Sequence, residues 1–268
     1  MNKLLVVFPL FVLMLLSSCE NPSGSTITEE SNSVELLPEL EYATTTEFEL
    51  RDDHYLSLSI EGFHVLLNKE VVDANIPLAN TGLNRLEEDI QALLNFGLSE
   101  TVIDTLRSVP IFFEYDAGIG AYHSEWRTLI VDETERFVQL DHIVLENINN
   151  FISWTTPPSG NQPFILLHEF THALHSIYVQ NSFQNEDIIN AYQNALDKRL
   201  YENVRYNFDN VTFGTQPEAY ATTNEIEYFA EISEAYFGIN DFFPFIRVEL
   251  AEHDTLGYRI VEESWDIK

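Results

Sequence analysis

Apolar and polar positions change period several times along this chain, and each change marks an element. His54–Ile60 alternates and Phe63–Asn68 is apolar, with Glu61-Gly62 between them, which predicts a β-hairpin. Leu83–Phe96 has the three-four spacing of an amphipathic helix that ends at Gly97, and Ser99 is placed to cap a second helix to about Arg107. Val109–Tyr115 reads as a strand and Asp116–Glu125 as a loop. Phe137–Leu140 and Ile143–Ile148 read as two further strands. Glu146–Trp154 is the candidate edge strand, Thr155–Pro163 is a Pro/Gly loop, and Pro163 suits the first turn of a helix. Asp187–Val204 reads as a helix, Asn207–Gln216 as a loop, and Asp241–Lys268 as an aromatic segment ending in one or two helices. Strands first and helices later predict an α+β fold.

Two helical runs carry polar residues that such runs normally exclude. Phe164-Ile165-Leu166-Leu167 leads into His168-Glu169-Phe170-Thr171-His172, followed by Ala173-Leu174. Residues four apart share one helix face, so His168 and His172 can point at one metal ion. Glu169 can then reach a water on that ion, the layout that zinc hydrolysis requires. Polar groups inside an apolar helix need partners, and a metal would satisfy both imidazoles. Seven residues after His168 comes His175, which reads as a core histidine or as a support behind a ligand. The compact arrangement with a third histidine fails, because Tyr178 stands at that position.

The second run is Thr222–Gly238. Thr223 or Asn224 can cap its start and Gly238 can end it. Glu227, Glu231 and Glu234 fall on one face of this helix, the other faces being aromatic and aliphatic. Clustered carboxylates repel unless a cation or protons neutralise them.

Tyr220-Ala221-Thr222-Thr223-Asn224-Glu225-Ile226-Glu227-Tyr228-Phe229-Ala230-Glu231 resembles the third-ligand region of the anthrax lethal factor type of zinc metallopeptidase, with a tyrosine seven residues before a glutamate that opens an E-[aromatic]-F-A-E run. More broadly the pattern is similar to the gluzincins, zinc peptidases with two histidine ligands and one glutamate. The resemblance covers these two helices, about a quarter of the chain, and no counterpart of the toxin's other domains is evident. It implies a zincin-like metallopeptidase domain with a small mixed sheet packed on the H-E-x-x-H helix and a C-terminal helical part. By the same resemblance, Zn2+ is held by His168, His172 and Glu227. Glu169 is then the general base that activates a zinc-bound water, Tyr220 the active-site tyrosine, and Glu231 a carboxylate that orients a ligand histidine. The implied substrate is a peptide or protein. Two other readings are a metal-bound, non-proteolytic surface protein that binds a partner, and a hydrolase of cell-wall amides.

The front of the chain adds a location. Met1-Asn2-Lys3 precedes an apolar run from Leu4 to Leu16, too short to be a convincing membrane span, which reads as a signal peptide over 1–18. Leu16-Ser17-Ser18-Cys19 resembles the lipobox of bacterial lipoproteins. That implies cleavage before Cys19, acylation there, and a lipid anchor in the bacterial cell envelope, with Glu20 favouring the outer membrane or cell surface. Residues 19–46 are rich in Ser, Thr, Asn, Glu and Pro and read as a flexible tether, leaving the domain at 47–268. Cys19 is the sole cysteine, so the chain has no internal disulfide and no cysteine-ligated zinc.

Composition narrows the partners. The formal net charge of −31 argues against nucleic acid and anionic headgroups. Hydrophobic residues make up 45% of the chain, with 19 Phe and 12 Tyr, enough for a large aromatic core in a body of roughly 220 residues.

Overall fold

The computed structural model describes residues 39–46, 48–50, 54–116, 121–131, 134–157, 160–209 and 211–267, all within the unit Pro38–Lys268. The signal peptide, Cys19 and the tether up to residue 38 lie outside the described residues.

After a short strand β1 (Glu49–Leu50), the chain forms the expected hairpin from β2 (Tyr55–Ile60) and β3 (Phe63–Asn68). Glu61 and Gly62 have φ of 51° and 83°, so both turn residues are left-handed, and Ile60 pairs with Phe63. Two such residues form the tight turn whose twist matches that of antiparallel strands. Next come α1 (Lys69–Ala74), α2 (Ile76–Leu94) and α3 (Glu100–Arg107). The Ser99 side chain accepts from Val102 N, as its position predicts. Helix α2 begins well before Leu83, because the Asn75 side chain caps it by accepting from Leu78 N. Gly82 looks like a helix breaker but serves a close approach: a Cβ there would lie 2.5 Å from Ile148 Cδ1.

Strands β4 (Ile111–Phe113), β5 (Ala121–Val131) and β6 (Thr134–Leu145) complete a six-stranded sheet in the order β1-β5-β6-β4-β3-β2. It is mixed: β3, β4 and β6 run parallel, while β5 runs antiparallel to β6 and β2 to β3. Three sequence expectations change here. The end of the loop read over Asp116–Glu125 is already strand. The two strands read around Asp141 are one, since His142 pairs with His123 and Asp141 with Ser124 across the ladder. Glu146–Trp154 is not an edge strand but mostly helix α4 (Ile148–Thr155), because the Asn147 side chain accepts from both Asn149 N and Asn150 N and starts a helical turn. Strand β5 instead lines a cavity beside the histidines through Ala121 and Tyr122.

Helix α5 (Ile165–Ile177) carries the H-E-x-x-H sequence, with Pro163 just outside it. Leu166, Leu167, Phe170, Ala173 and Leu174 bury one flank, and the Phe170 ring lies 5.5 Å from that of Phe63 on the sheet. Helix α6 (Glu186–Asp197) is shorter than Asp187–Val204, since Arg199 turns left-handed at φ 55°. The chain then forms a second hairpin, β7 (Glu202–Asn207) with β8 (Phe213–Glu218), where the sequence suggested a loop.

A 3-10 turn at Tyr220–Thr222 leads to α7 (Glu225–Phe237), followed by α8 (Arg247–His253) and α9 (Thr255–Ser264). Helix α7 runs antiparallel to α5: the ring of Phe164 approaches Gly238, Glu234 meets His168, and Phe229 meets His175. From behind, Trp265 is fully buried and donates its indole N–H to Ser233 Oγ at 3.0 Å. The Tyr228 hydroxyl donates to Asp254 Oδ2 at 2.6 Å.

Residues 39–46, within the stretch read as tether, lie on the body. The Tyr42 hydroxyl reaches Asn84 Oδ1 and Glu87 Oε2 at 2.7 Å each, and Asn80 bonds the backbone at Glu39 and Glu41.

Candidate metal centre

The site forms where α5 and α7 face each other. One helical turn apart on α5, the rings of His168 and His172 stand nearly perpendicular with centroids 4.8 Å apart. On α7, Asn224 fixes the first turn, its side chain accepting from Ile226 N and Glu227 N at 2.9 Å. That cap sets where Glu227 points. Its Oε2 lies 3.1 Å from His168 Nε2 and 3.3 Å from His172 Nε2. These three donor atoms form a group able to hold a metal ion. A tetrahedral zinc with ligands at about 2.0–2.2 Å separates neighbouring donors by about 3.3–3.6 Å, so the two distances from Glu227 fit zinc with little adjustment. The two nitrogens and one oxygen also match zinc's ligand chemistry.

Electrostatics point the same way. Burial lowers and the hydrogen bonds to Glu227 and Glu234 raise the His168 pKa, and the carboxylates prevail, holding it well above the usual histidine value. Burial raises the Glu227 pKa, but the two histidines outweigh it and bring it down to about 2. A proton on His168 thus neutralises the donor set, and a metal cation in the same place would displace it.

The hydrogen bond to a ligand histidine that the resemblance assigned to Glu231 is made by Glu234. Glu234 Oε1 sits 2.6 Å from His168 Nδ1, whereas Glu231 Oε1 is 4.0 Å away and the other oxygen of Glu231, Oε2, accepts from Asn240 Nδ2 at 3.2 Å. Glu169 is buried beside the donor set, and its Oε2 has no hydrogen-bond partner among the described residues.

Tyr220 is 47% exposed, with its ring 6.3 Å from that of His168. Burial and the nearby Glu227 raise its hydroxyl above the usual tyrosine pKa, so it keeps its proton at neutral pH. His175 proves to be a core residue. It packs edge-on to Phe183 and Phe229, and burial brings its pKa down to about 4.

Two cavities flank the donor set, and His168, Glu169 and Tyr220 line both. One, of about 540 Å³, is bounded by Ala121 and Tyr122 of β5 and by Phe183 and Ile226. The other, of about 560 Å³, runs toward Trp154, Tyr206 and Phe242 and contains a further buried acid, Asp241. Sequence reasoning missed Asp241 and Tyr122, and took Trp154 only as the end of a candidate edge strand, because each reaches the site from an element with no periodic polar signal of its own. No family model, curated protein or solved structure matches this chain.

Proposed function

We propose that the protein is a zinc metallopeptidase of the gluzincin kind, with a zincin-like domain carried on a bacterial lipoprotein. The observation that carries this reading is the convergence of His168 Nε2, His172 Nε2 and Glu227 Oε2, with a carboxylate base and a tyrosine hydroxyl beside them. His168, His172 and Glu227 would hold the ion. Zinc, when bound, polarises a carbonyl and makes water more acidic.

The remaining steps fall to the chain's own groups. Glu169 Oε2 takes the proton of the attacking water and passes it to the leaving amine. The Tyr220 hydroxyl donates to the oxygen on which negative charge develops. Glu234 accepts from His168 Nδ1–H, keeping the Nε2 lone pair directed at the donor set. The outer edge of β5 beside Ala121 and Tyr122, away from its pairing with β1 at Leu129 and Ile130, is suited to pair with an extended peptide. Localisation by an acylated Cys19, at the outer membrane or cell surface, belongs to the same proposal. Among the described residues no helix is long and apolar enough to cross a membrane.

The test is hydrolysis of a panel of protein and cell-wall peptides by the zinc-loaded chain, with and without a chelator, alongside Glu169→Gln. Cleavage that the chelator abolishes and that Glu169→Gln lacks, with zinc and fold retained, is the expected result. A zinc-loaded wild type that cleaves nothing across the panel would instead favour a binding module.

A further inference from the structure

The cavity on the Trp154 side of the donor set has an unusual balance of charge. Glu231, Glu234 and Asp241 line it, and all three are buried. Glu146 adds a fourth buried carboxylate, and Glu218, also in the lining, is exposed. Among the described residues, the lining contains no Lys or Arg; its one histidine, His168, is already engaged by Glu227 and Glu234.

A second observation points to a ligand here. Glu169, only 4% exposed, lines the same cavity with a carboxylate oxygen that no group among the described residues satisfies. Burying several carboxylates with so little compensating charge is costly unless protons or a cation neutralise them. The space, about 560 Å³, exceeds what a bare ion needs. Its aromatic walls, Trp154, Tyr206 and Phe242, suit an aliphatic stem and the face of a cationic head.

We propose that this cavity is a subsite for a cationic side chain, a lysine or arginine of the substrate next to the scissile bond. The carboxylates of Asp241, Glu146 and Glu218 meet the head group and the aromatic walls hold the stem. As a substrate subsite it rests on the peptidase reading. The apolar cavity across the donor set, with Phe183 and Ile226, accepts the residue on the other side of that bond.

The test separates binding from turnover. N-acetyl-arginine amide and N-acetyl-citrulline amide have nearly the same shape and differ in charge. Titrated calorimetrically into the zinc-loaded full chain at low salt, the arginine compound should bind at least about tenfold more tightly. Asp241→Asn and, separately, Glu218→Gln should each reduce that preference without weakening the citrulline compound. Glu218 is exposed, so its variant stays informative should the buried one fail to fold. Equal affinities in the wild type, or a preference that both variants keep, would overturn the subsite. Peptide-library profiling gives the second readout: cleavage products should carry Lys or Arg at one position adjoining the cut. Cleavage without such enrichment removes the subsite but leaves the peptidase. Intact arginine selectivity in a chain that cleaves nothing supports the subsite and removes the peptidase.

Discussion

His168 and Glu234 are joined through Nδ1 and Oε1 at 2.6 Å, across two antiparallel helices, and this contact orients the imidazole for the donor set. Supporting carboxylates of this kind typically contribute about 10–100-fold to metal affinity. Glu234→Gln should therefore lower zinc affinity by about one to two orders of magnitude, while Glu231→Gln, at 4.0 Å, should lower it far less. Competition against a chromophoric chelator measures both. Equal losses would show that Glu234 has no special part in holding the ring.

Tyr220 and Glu227 should separate cleanly. Tyr220→Phe removes one hydroxyl from a half-exposed ring and should leave zinc content and folding nearly intact, while kcat falls by about a hundredfold or more. Glu227→Ala removes a donor and should weaken zinc binding directly, as should His168→Ala combined with His172→Ala. Metal analysis and turnover of a cleavable peptide distinguish the two. Normal turnover in Tyr220→Phe would mean that the hydroxyl takes no part in the reaction.

The acid cluster predicts how stability depends on pH. Burial and then the neighbouring Glu234 raise the Asp241 pKa to about 7. Its unfolded value is about 3.9. Between these values the folded chain binds more protons than the unfolded chain, so this group makes stability fall as pH rises from about 4 to 7. Burial raises Glu231 and Glu234 as well, adding to the same slope. Asp241→Asn cannot ionise and should flatten the decline, gaining on the wild type at pH 8 relative to pH 5. Urea unfolding of the metal-free chains at the two pH values is the check; parallel pH profiles would refute the assignment.

For the anchor, Cys19→Ser should abolish acylation and move the protein out of the membrane fraction. Unchanged detergent partitioning and unchanged mass would end the lipoprotein proposal.

How legible the site was in the sequence depended on whether a signal lay within one element. His168, Glu169 and His172 occupy one turn of an apolar helix, so spacing placed them, whereas Glu227 was singled out from Glu231 and Glu234 by the resemblance of its segment. The choice between Glu231 and Glu234 needed the partner helix. On an ideal helix Glu234 lies only about 20° from the azimuth of Glu227, against about 40° for Glu231. Because α5 runs antiparallel, His168 then meets the residue further along α7. The hairpin at Glu61-Gly62 was readable because two residues decide it. Strand β5 was not, since its pairing with β6 is tertiary and its sequence, Ala121-Tyr122-His123-Ser124-Glu125, is as polar as a loop. Glu146–Trp154 misled because its apolar residues suit either a strand or a helix, and the Asn147 cap decided for helix.

The bond between Trp265 and Ser233 bears on the order in which the molecule is completed. A chain emerging from a ribosome or a membrane pore does so from its N-terminus. His168 and His172 therefore appear long before the segment that backs the helix bearing Glu227. Ser233 gains its indole partner only when residue 265, 32 positions downstream, is out. The helix bearing Glu227 thus gains its backing late, and a chain delivered only as far as α6 holds two histidines without the glutamate that completes the donor set.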